Sequence, residues 1–374
     1  MPLDILLIVA IGLALIHFGF PLTYYCYLKK LWLNRPWGVR GDSEYKPRVS
    51  IIVPTYNEAN LVKQKLDNIA SQDYPKDLVE IIVVDSASTD GTLEVVKEWI
   101  AGHRDVGAKL IEESVRRGKA HALNRALEDA MGEVVIITDV DSTWPSRDTL
   151  ASALSWFSDP VVGAVTCLKV PTRGGFIGVE RGYRDYYNVV RLGESKRFST
   201  PIFHGELAAF RRDLLVKLNG FPVDIGADDS YTATLIAISG FRAIAVDNAL
   251  CTELVPREGY HMWRIRRAQH LIQHFIKALG LLSKAPREFK PILVVETWLH
   301  LFNPWLLLAA ATTLLYKALM GSLTALALLV AGTALLILKP YRTWVATQAY
   351  LVTASIRNLW TKEIAWEKQE KADQ

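Results

Sequence analysis

Residues 134–141 read Val-Val-Ile-Ile-Thr-Asp-Val-Asp. Four β-branched apolar residues followed by Thr138 predict a strand buried on both faces, the kind found inside a parallel sheet. The run ends in two acids one residue apart, Asp139 and Asp141. Ligands of open α/β sheets bind beyond the carboxyl ends of the strands. Two carboxylates at that edge are costly unless a cation sits between them. A hard divalent cation that also touches phosphate oxygens is the natural partner. The alternative is a pair of solvated acids where a strand runs into a surface loop.

Strand and helix alternate around this stretch. Short apolar runs at 49–53, 80–84, 109–112, 134–138 and 162–168 predict strands, with helices near 58–72, 92–103, 117–131 and 148–158. The alternation predicts a doubly wound α/β sheet, parallel in these strands. Neither a Gly-x-Gly-x-x-Gly turn nor a Walker-type phosphate loop is present, which removes the main support for dehydrogenase and P-loop readings. The formal charge is +4 over 374 residues, without a basic stripe interleaved with aromatics, so no nucleic-acid partner is expected. Cys26, Cys167 and Cys251 are far apart and show no metal-type spacing, which predicts reduced thiols and a cytosolic globular part.

The predicted strands end in polar residues. Pro54-Thr55-Tyr56-Asn57-Glu58 follows the first, and the run from Asp85 to Thr92, with Asp90 or Thr92 as a helix cap, follows the second. Arg116-Arg117-Gly118-Lys119 follows the third and opens a helix that carries Asn124. One sheet edge would thus collect acids for a base, a ribose or a metal, and cations for phosphate.

These segments, together with Arg117-Gly118-Lys119-Ala120-His121-Ala122-Leu123-Asn124 and Asp139-Val140-Asp141, resemble the successive signatures of glycosyltransferase family 2. The resemblance covers about 49–270 and implies the GT-A fold, a mixed Rossmann-like sheet, with a nucleotide-sugar donor and a divalent metal, Mg²⁺ or Mn²⁺. It implies that Asp85 hydrogen-bonds the base and that Thr55, Tyr56 and Glu58 line the nucleoside pocket. It places Asp139 near the ribose and diphosphate and Asp141 on the metal, with Asp139 as its second candidate ligand; His204 and His261 are further candidates. Lys119, Arg264 and Arg267 complete the implied donor-binding set. Residues 203–212 resemble the acceptor-side segment, with Glu206 where members often have Ser. Ala227-Asp228-Asp229 resembles the element whose last acid is the catalytic base, here Asp229. Its alternative is N-capping of the following helix. The implied reaction is inverting: an acceptor hydroxyl, deprotonated by Asp229, displaces the nucleoside diphosphate.

The composition is 50% hydrophobic, and the apolar sequence is concentrated at the two ends. Residues 5–20 are unbroken but for His17, with Asp4 before and Lys29-Lys30 after, a charge order opposite to that of a signal peptide. Residues 292–316 and 319–338 are each near the roughly 20 residues a span needs. The basic flanks Lys290, Lys339 and Arg342 suit a hairpin entered and left from the cytosol. Aromatic–arginine mixtures at 171–193 and 259–282 suit interfacial helices. The expected organisation is a transmembrane helix (1–30), a linker (31–48), a cytosolic GT-A domain (49–258), an interfacial region (259–290), a transmembrane hairpin (291–340) and an interfacial helix with tail that includes Trp366 (341–374). That makes about three spans.

Where membrane polysaccharide synthases resembling this chain carry Gln-x-x-Arg-Trp, residues 264–268 read Arg-Ile-Arg-Arg-Ala, and only Arg267 matches. The missing Trp argues for a single transfer over polymer synthesis. The expected acceptor is a lipid-linked glycan or polyprenyl phosphate at the cytosolic face, and the donor GDP-mannose before UDP-glucose or UDP-N-acetylglucosamine. A processive synthase and a non-catalytic nucleotide-binding scaffold are the rival readings.

Overall fold

The computed structural model describes residues 4–173, 177–256 and 258–362. The first three residues of the expected anchor, Gly174-Gly175-Phe176, Arg257, and the expected tail over 363–374 with Trp366 lie outside them.

In chain order the elements are α1 (Ile5–Leu31), β1 (Val49–Thr55), α2 (Ala59–Ala70), β2 (Val79–Ser86), α3 (Thr92–Gly102), β3 (Gly107–Glu113), α4 (Lys119–Asp129), β4 (Val134–Ile137), β5 (Ser142–Thr143), α5 (Thr149–Leu154), β6 (Val162–Arg173), α6 (Ile177–Arg197), β7 (Ala208–Arg211), α7 (Arg212–Lys217), α8 (Asp228–Ile238), β8 (Arg242–Leu254), α9 (Tyr260–Leu279), α10 (Lys290–Leu301), α11 (Asn303–Leu319), α12 (Leu323–Ala334) and α13 (Lys339–Arg357). Among the described residues, eight strands form one sheet in the order β3-β2-β1-β4-β7-β6-β8-β5.

The first four strands run parallel, as their apolar runs predict. Val134, Val135, Ile136 and Ile137 are all buried, because α4 covers one face of β4 and the α2–α3 layer covers the other. The sheet is mixed because β7 runs antiparallel to both β4 and β6. That reversal brings the start of β7 beside the end of β4. Asp139 N–H donates to the Gly205 carbonyl at 2.9 Å, and Thr138 Oγ1 donates to the Glu206 carbonyl at 2.7 Å. The residues ahead of β7 therefore share an edge with those after β1, β2 and β4.

Two helices among the described residues are long and apolar enough to cross a membrane, Ile5–Leu31 and Lys290–Leu319; a third exists only if the pair Leu323–Ile337 and Lys339–Arg357, bent by 108°, counts as one. The expected second arm of the hairpin, 319–338, is thus shorter than a span. At 1.5 Å per residue α12 reaches only about 18 Å, against a hydrocarbon core of roughly 30 Å. His17, Glu296 and Tyr24 find partners on other helices. His17 Nδ1 lies 2.9 Å from the Asn303 carbonyl, and Trp344 Nε1 donates to His17 Nε2 at 2.9 Å, joining α1, α11 and α13. Glu296 is buried, 3.1 Å from Arg191 and 3.4 Å from His300. Tyr24 on α1 donates to Glu194 on α6 at 2.9 Å, so α1 is stitched to the α/β unit.

Candidate active site

A cavity of about 980 Å³ opens along the shared edge. Thr55, Tyr56, Glu58, Lys119, Asp139, Asp141, Asp229, Arg264 and Arg267 all contribute to its wall. Residues more than 200 positions apart thus meet: the first six come from the ends of β1, β3 and β4, Asp229 from the start of α8, and Arg264 and Arg267 from the first turns of α9.

At one end the loops after β1 and β2 are cross-laced. Asn57, at φ 54°, donates its N–H to Ser88 Oγ at 2.8 Å and accepts from Thr89 N at 2.8 Å. Glu58 N–H donates to Thr92 Oγ1 at 2.8 Å. Thr92 is therefore the first residue of α3 and also a tie to the β1 loop. The Arg116 guanidinium stacks 3.7 Å from the centre of the Tyr56 ring, giving this end a flat cationic shelf.

Asp85 is placed differently from the sequence expectation. It sits beside Thr55 in the β1–β2 register, is 1% exposed, and is absent from the cavity wall. Its carboxylate accepts from Thr55 Oγ1 at 3.1 Å, Ser88 N at 2.9 Å and Ser88 Oγ at 2.5 Å. It braces the loop whose Ser86 and Asp90 do line the cavity.

In the middle, Gly118 takes φ 104° as the residue before α4, a conformation that favours glycine, and so delivers Lys119 to the cavity. Lys119 Nζ lies 2.7 Å from Asp139 Oδ1. A Cβ on Gly205 would come within 2.7 Å of Asp139 Oδ2 and 2.9 Å of Lys119 Nζ, so a side chain there would displace one or both of these ends. Burial opposes the charge of Lys119, but Asp139, Asp228 and Asp229 together raise its pKa.

Asp228 and Asp229 open α8. Ala227 is the cap residue and has no polar side chain to cap with, and the two acids after it lie in the first turn, where carboxylates also suit the helix N-terminus. Asp229 Oδ1 accepts from Ser230 N at 2.6 Å and Ser230 Oγ at 3.1 Å. Ser230 Oγ in turn accepts from Phe203 N at 3.1 Å, which ties the start of α8 to the residues ahead of β7. Burial and the neighbouring Asp228 push the Asp229 carboxyl up to about 6, with Lys119 opposing the rise. A carboxylate poised near neutrality is suited to taking a proton.

The far end is a buried ionic network, of which sequence reasoning singled out only Glu206, Arg264 and Arg267. Glu253 on β8 pairs with Arg267, with Lys169 at 3.3 Å and with Arg184 at 2.9 Å, while Lys169 also pairs with Glu206. Burial raises and Arg267 lowers the Glu253 pKa, and the cations prevail, holding it well below the ordinary range. Arg264 lies 3.2 Å from Glu180 and 4.1 Å from the Tyr183 ring. Ala268 occupies the Trp position of the synthase signature, but Trp263, one turn before Arg267, lines the cavity with its ring 4.7 Å from the Arg267 guanidinium. An aromatic is therefore present after all, from the other side of Arg267. His204 lines the cavity, and burial with Lys169 nearby keeps it neutral. His261 instead meets Tyr350 at 2.7 Å and is not on the cavity wall.

Among the described residues, no cluster of three or more His, Cys, Asp or Glu has metal-ligand geometry. Asp141 and Asp139 nevertheless offer hard oxygen donors of the type Mg²⁺ and Mn²⁺ prefer. Mg²⁺ in particular takes one or two carboxylates plus substrate phosphates, and this donor set fits that pattern.

A nucleotide-sized crevice at the carboxyl edge of a mixed sheet, with an acid pair, a facing cation and a poised carboxylate, defines a group-transfer site. The signature described as glycosyl transferase family 2 matches residues 50–218. A solved mannosyltransferase, PcManGT from Pyrobaculum calidifontis in complex with GDP-Man and Mn²⁺, is 57% identical, with a TM-score of 0.90, covering 96% of this chain and 100% of that one. Poly-β-1,6-N-acetyl-D-glucosamine synthase of Staphylococcus epidermidis is 25% identical over 66% of this chain and 60% of its own length. The dolichyl N-acetyl-α-D-glucosaminyl phosphate 3-β-D-2,3-diacetamido-2,3-dideoxy-β-D-glucuronosyltransferase of Methanococcus voltae is 34% identical over 29% of this chain and 33% of its own. The matched stretches span less than two thirds of the length of these curated relatives. The chain belongs to glycosyl transferase family 2.

Proposed function

We propose that this glycosyltransferase moves mannose from GDP-mannose, with inversion, to a lipid-linked glycan or polyprenyl phosphate at the cytosolic membrane face. The observation that carries the reading is that Asp141, Lys119 and Asp229 face one cavity whose far wall includes His300 of α10 and Tyr350 of α13. Donor chemistry at one end and the candidate membrane helices at the other suit a soluble donor and a membrane-borne acceptor. The donor preference draws on the GDP-Man bound by the 57%-identical mannosyltransferase.

In this reading Thr55, Tyr56 and Glu58 hold the nucleoside, with Asp85 bracing their loop, and Lys119 and Asp139 sit by the diphosphate. Asp141, with Asp139, would hold the divalent metal, which when bound supplies Lewis-acid neutralisation of the leaving diphosphate. Arg267 and Arg264 face the acceptor end. Asp229 takes the proton of the acceptor hydroxyl as that oxygen attacks the anomeric carbon, and the C–O bond to the diphosphate breaks on the opposite face.

Trp263 on the cavity wall favours a second reading, a processive synthase in which that ring stacks on the growing chain. A panel of radiolabelled nucleotide sugars, incubated with membranes containing the chain, with and without EDTA, tests both. EDTA-sensitive mannose label in the lipid fraction supports the first reading, and long water-soluble polymer supports the second. Donor turnover with neither product contradicts the acceptor assignment.

A further inference from the structure

Helix α2 buries Val62, Leu66 and Ile69, the i, i+4, i+7 stripe of an amphipathic helix, and with them Lys65. Lys65 is 1% exposed and ranks among the largest fully buried side chains. Among the described residues no carboxylate lies within ion-pair distance of its ammonium. Burying an unpaired charge is costly, and a methionine of similar volume would pack there without that cost.

The ammonium is solvated by one short segment. Nζ donates to Ser142 Oγ at 2.9 Å and to the Ser142 carbonyl at 3.2 Å, and lies 4.8 Å from the Trp144 ring. Ser142 Oγ donates onward to the Asp139 carbonyl at 2.7 Å. One turn along α2, Asn68 bonds both the N–H and the carbonyl of Trp144 at 2.9 Å. On the other side Trp144 Nε1 donates to the Glu206 carbonyl at 2.9 Å, and Ser142 pairs with Glu253 in the β5–β8 ladder. The turn that carries Asp139, Val140 and Asp141 is thus gripped from behind by Lys65, and its two acids face the cavity.

We propose that Lys65 is a positioning residue for the cation–diphosphate end of the site: through Ser142 it fixes the turn that presents Asp141. Outer partners of this kind, which orient a ligand without touching the metal, typically change metal affinity by about 10–100-fold when removed. The inference rests on the reading that Asp141 holds a divalent metal.

The test is Mn²⁺ titration of the full chain in detergent with saturating GDP, followed by the electron paramagnetic resonance of free Mn²⁺. It compares wild type, Lys65→Met, Ser142→Ala and the double variant, with melting temperatures recorded alongside. Lys65→Met is expected to weaken Mn²⁺ binding about tenfold and to raise the Mn²⁺ needed for half-maximal transfer equally, while kcat at saturating Mn²⁺ changes by less than about threefold. Ser142→Ala is expected to shift affinity about threefold in the same direction, and the double variant to match Lys65→Met, since both act along one chain of bonds. A folded Lys65→Met with wild-type Mn²⁺ affinity overturns the inference, as do independent losses that multiply in the double variant. If Lys65→Met does not fold, unchanged affinity in Ser142→Ala overturns it. Wild type that fails to bind Mn²⁺ with GDP contradicts the functional reading itself.

Discussion

Lys119 Nζ sits 2.7 Å from Asp139 Oδ1, and the same ammonium faces the acid pair that opens α8. One cation therefore links the end of β4, the proposed diphosphate site, to Asp229, the proposed base. Electrostatic changes at either carboxylate are felt at the other through this side chain.

With Asp229 as the proposed base, transfer should show an acid limb. Burial and Asp228 push Asp229 up to about 6, and a general base works only when ionised. Transfer at saturating donor and metal should fall about tenfold per pH unit below that value and level off above it. The profile of kcat between pH 5 and 8 checks this.

Removing the cation should move that limb. Lys119 opposes the rise in the Asp229 pKa, so Lys119→Met should shift the acid limb to higher pH as well as weaken donor binding. A profile that keeps its midpoint while only the donor KM rises would limit Lys119 to phosphate binding.

Gly205→Ala should disable the site with little effect on the fold. The added methyl meets Asp139 Oδ2 at 2.7 Å and Lys119 Nζ at 2.9 Å, so one or both side chains must shift from this arrangement. A loss in kcat/KM of about tenfold or more is expected, with a melting temperature near that of wild type.

Glu253→Gln should act mainly on stability. The carboxylate is held well below its ordinary pKa by three cations, Arg267, Lys169 and Arg184, and neutralising it leaves them without their shared partner. Breaking a buried ionic network typically costs about 3–5 kcal/mol. The sign is that of a carboxylate with lowered folded pKa: the stabilisation is full above its unfolded value, near 4.3, and is lost as pH falls toward the folded one. Thermal unfolding of wild type and variant at pH 7 measures the difference.

The donor half of the site was legible because its residues follow strands. The runs ahead of Thr55, Asp85 and Asp139 carry a period-independent apolar signal, and polar residues beyond such strands gather at one edge. The Lys169–Glu206–Glu253–Arg184 network was not legible, because its members come from β6, the residues before β7, β8 and α6 and have no common spacing. Asp85 was legible as the end of a strand, but its bonds to the hydroxyls of Thr55 and Ser88 were not, because they join two separate loops. Trp263 was read as an interfacial aromatic because the expected site aromatic follows the arginine, whereas one helical turn before Arg267 reaches the same wall. Lys65 left a readable trace, a lone lysine on the apolar stripe of α2. The short α12 and its 108° bend depend on packing that hydropathy does not encode.

The central claim is that Asp229 removes the acceptor proton. Asp229→Asn keeps the shape and the bond to Ser230 but cannot accept that proton. GDP-mannose binding and mannose transfer to the lipid fraction should be measured on the same preparation. The account predicts donor affinity within about twofold of wild type and transfer reduced by about 10²–10⁴-fold. Transfer close to the wild-type rate in a variant that binds donor normally would contradict it.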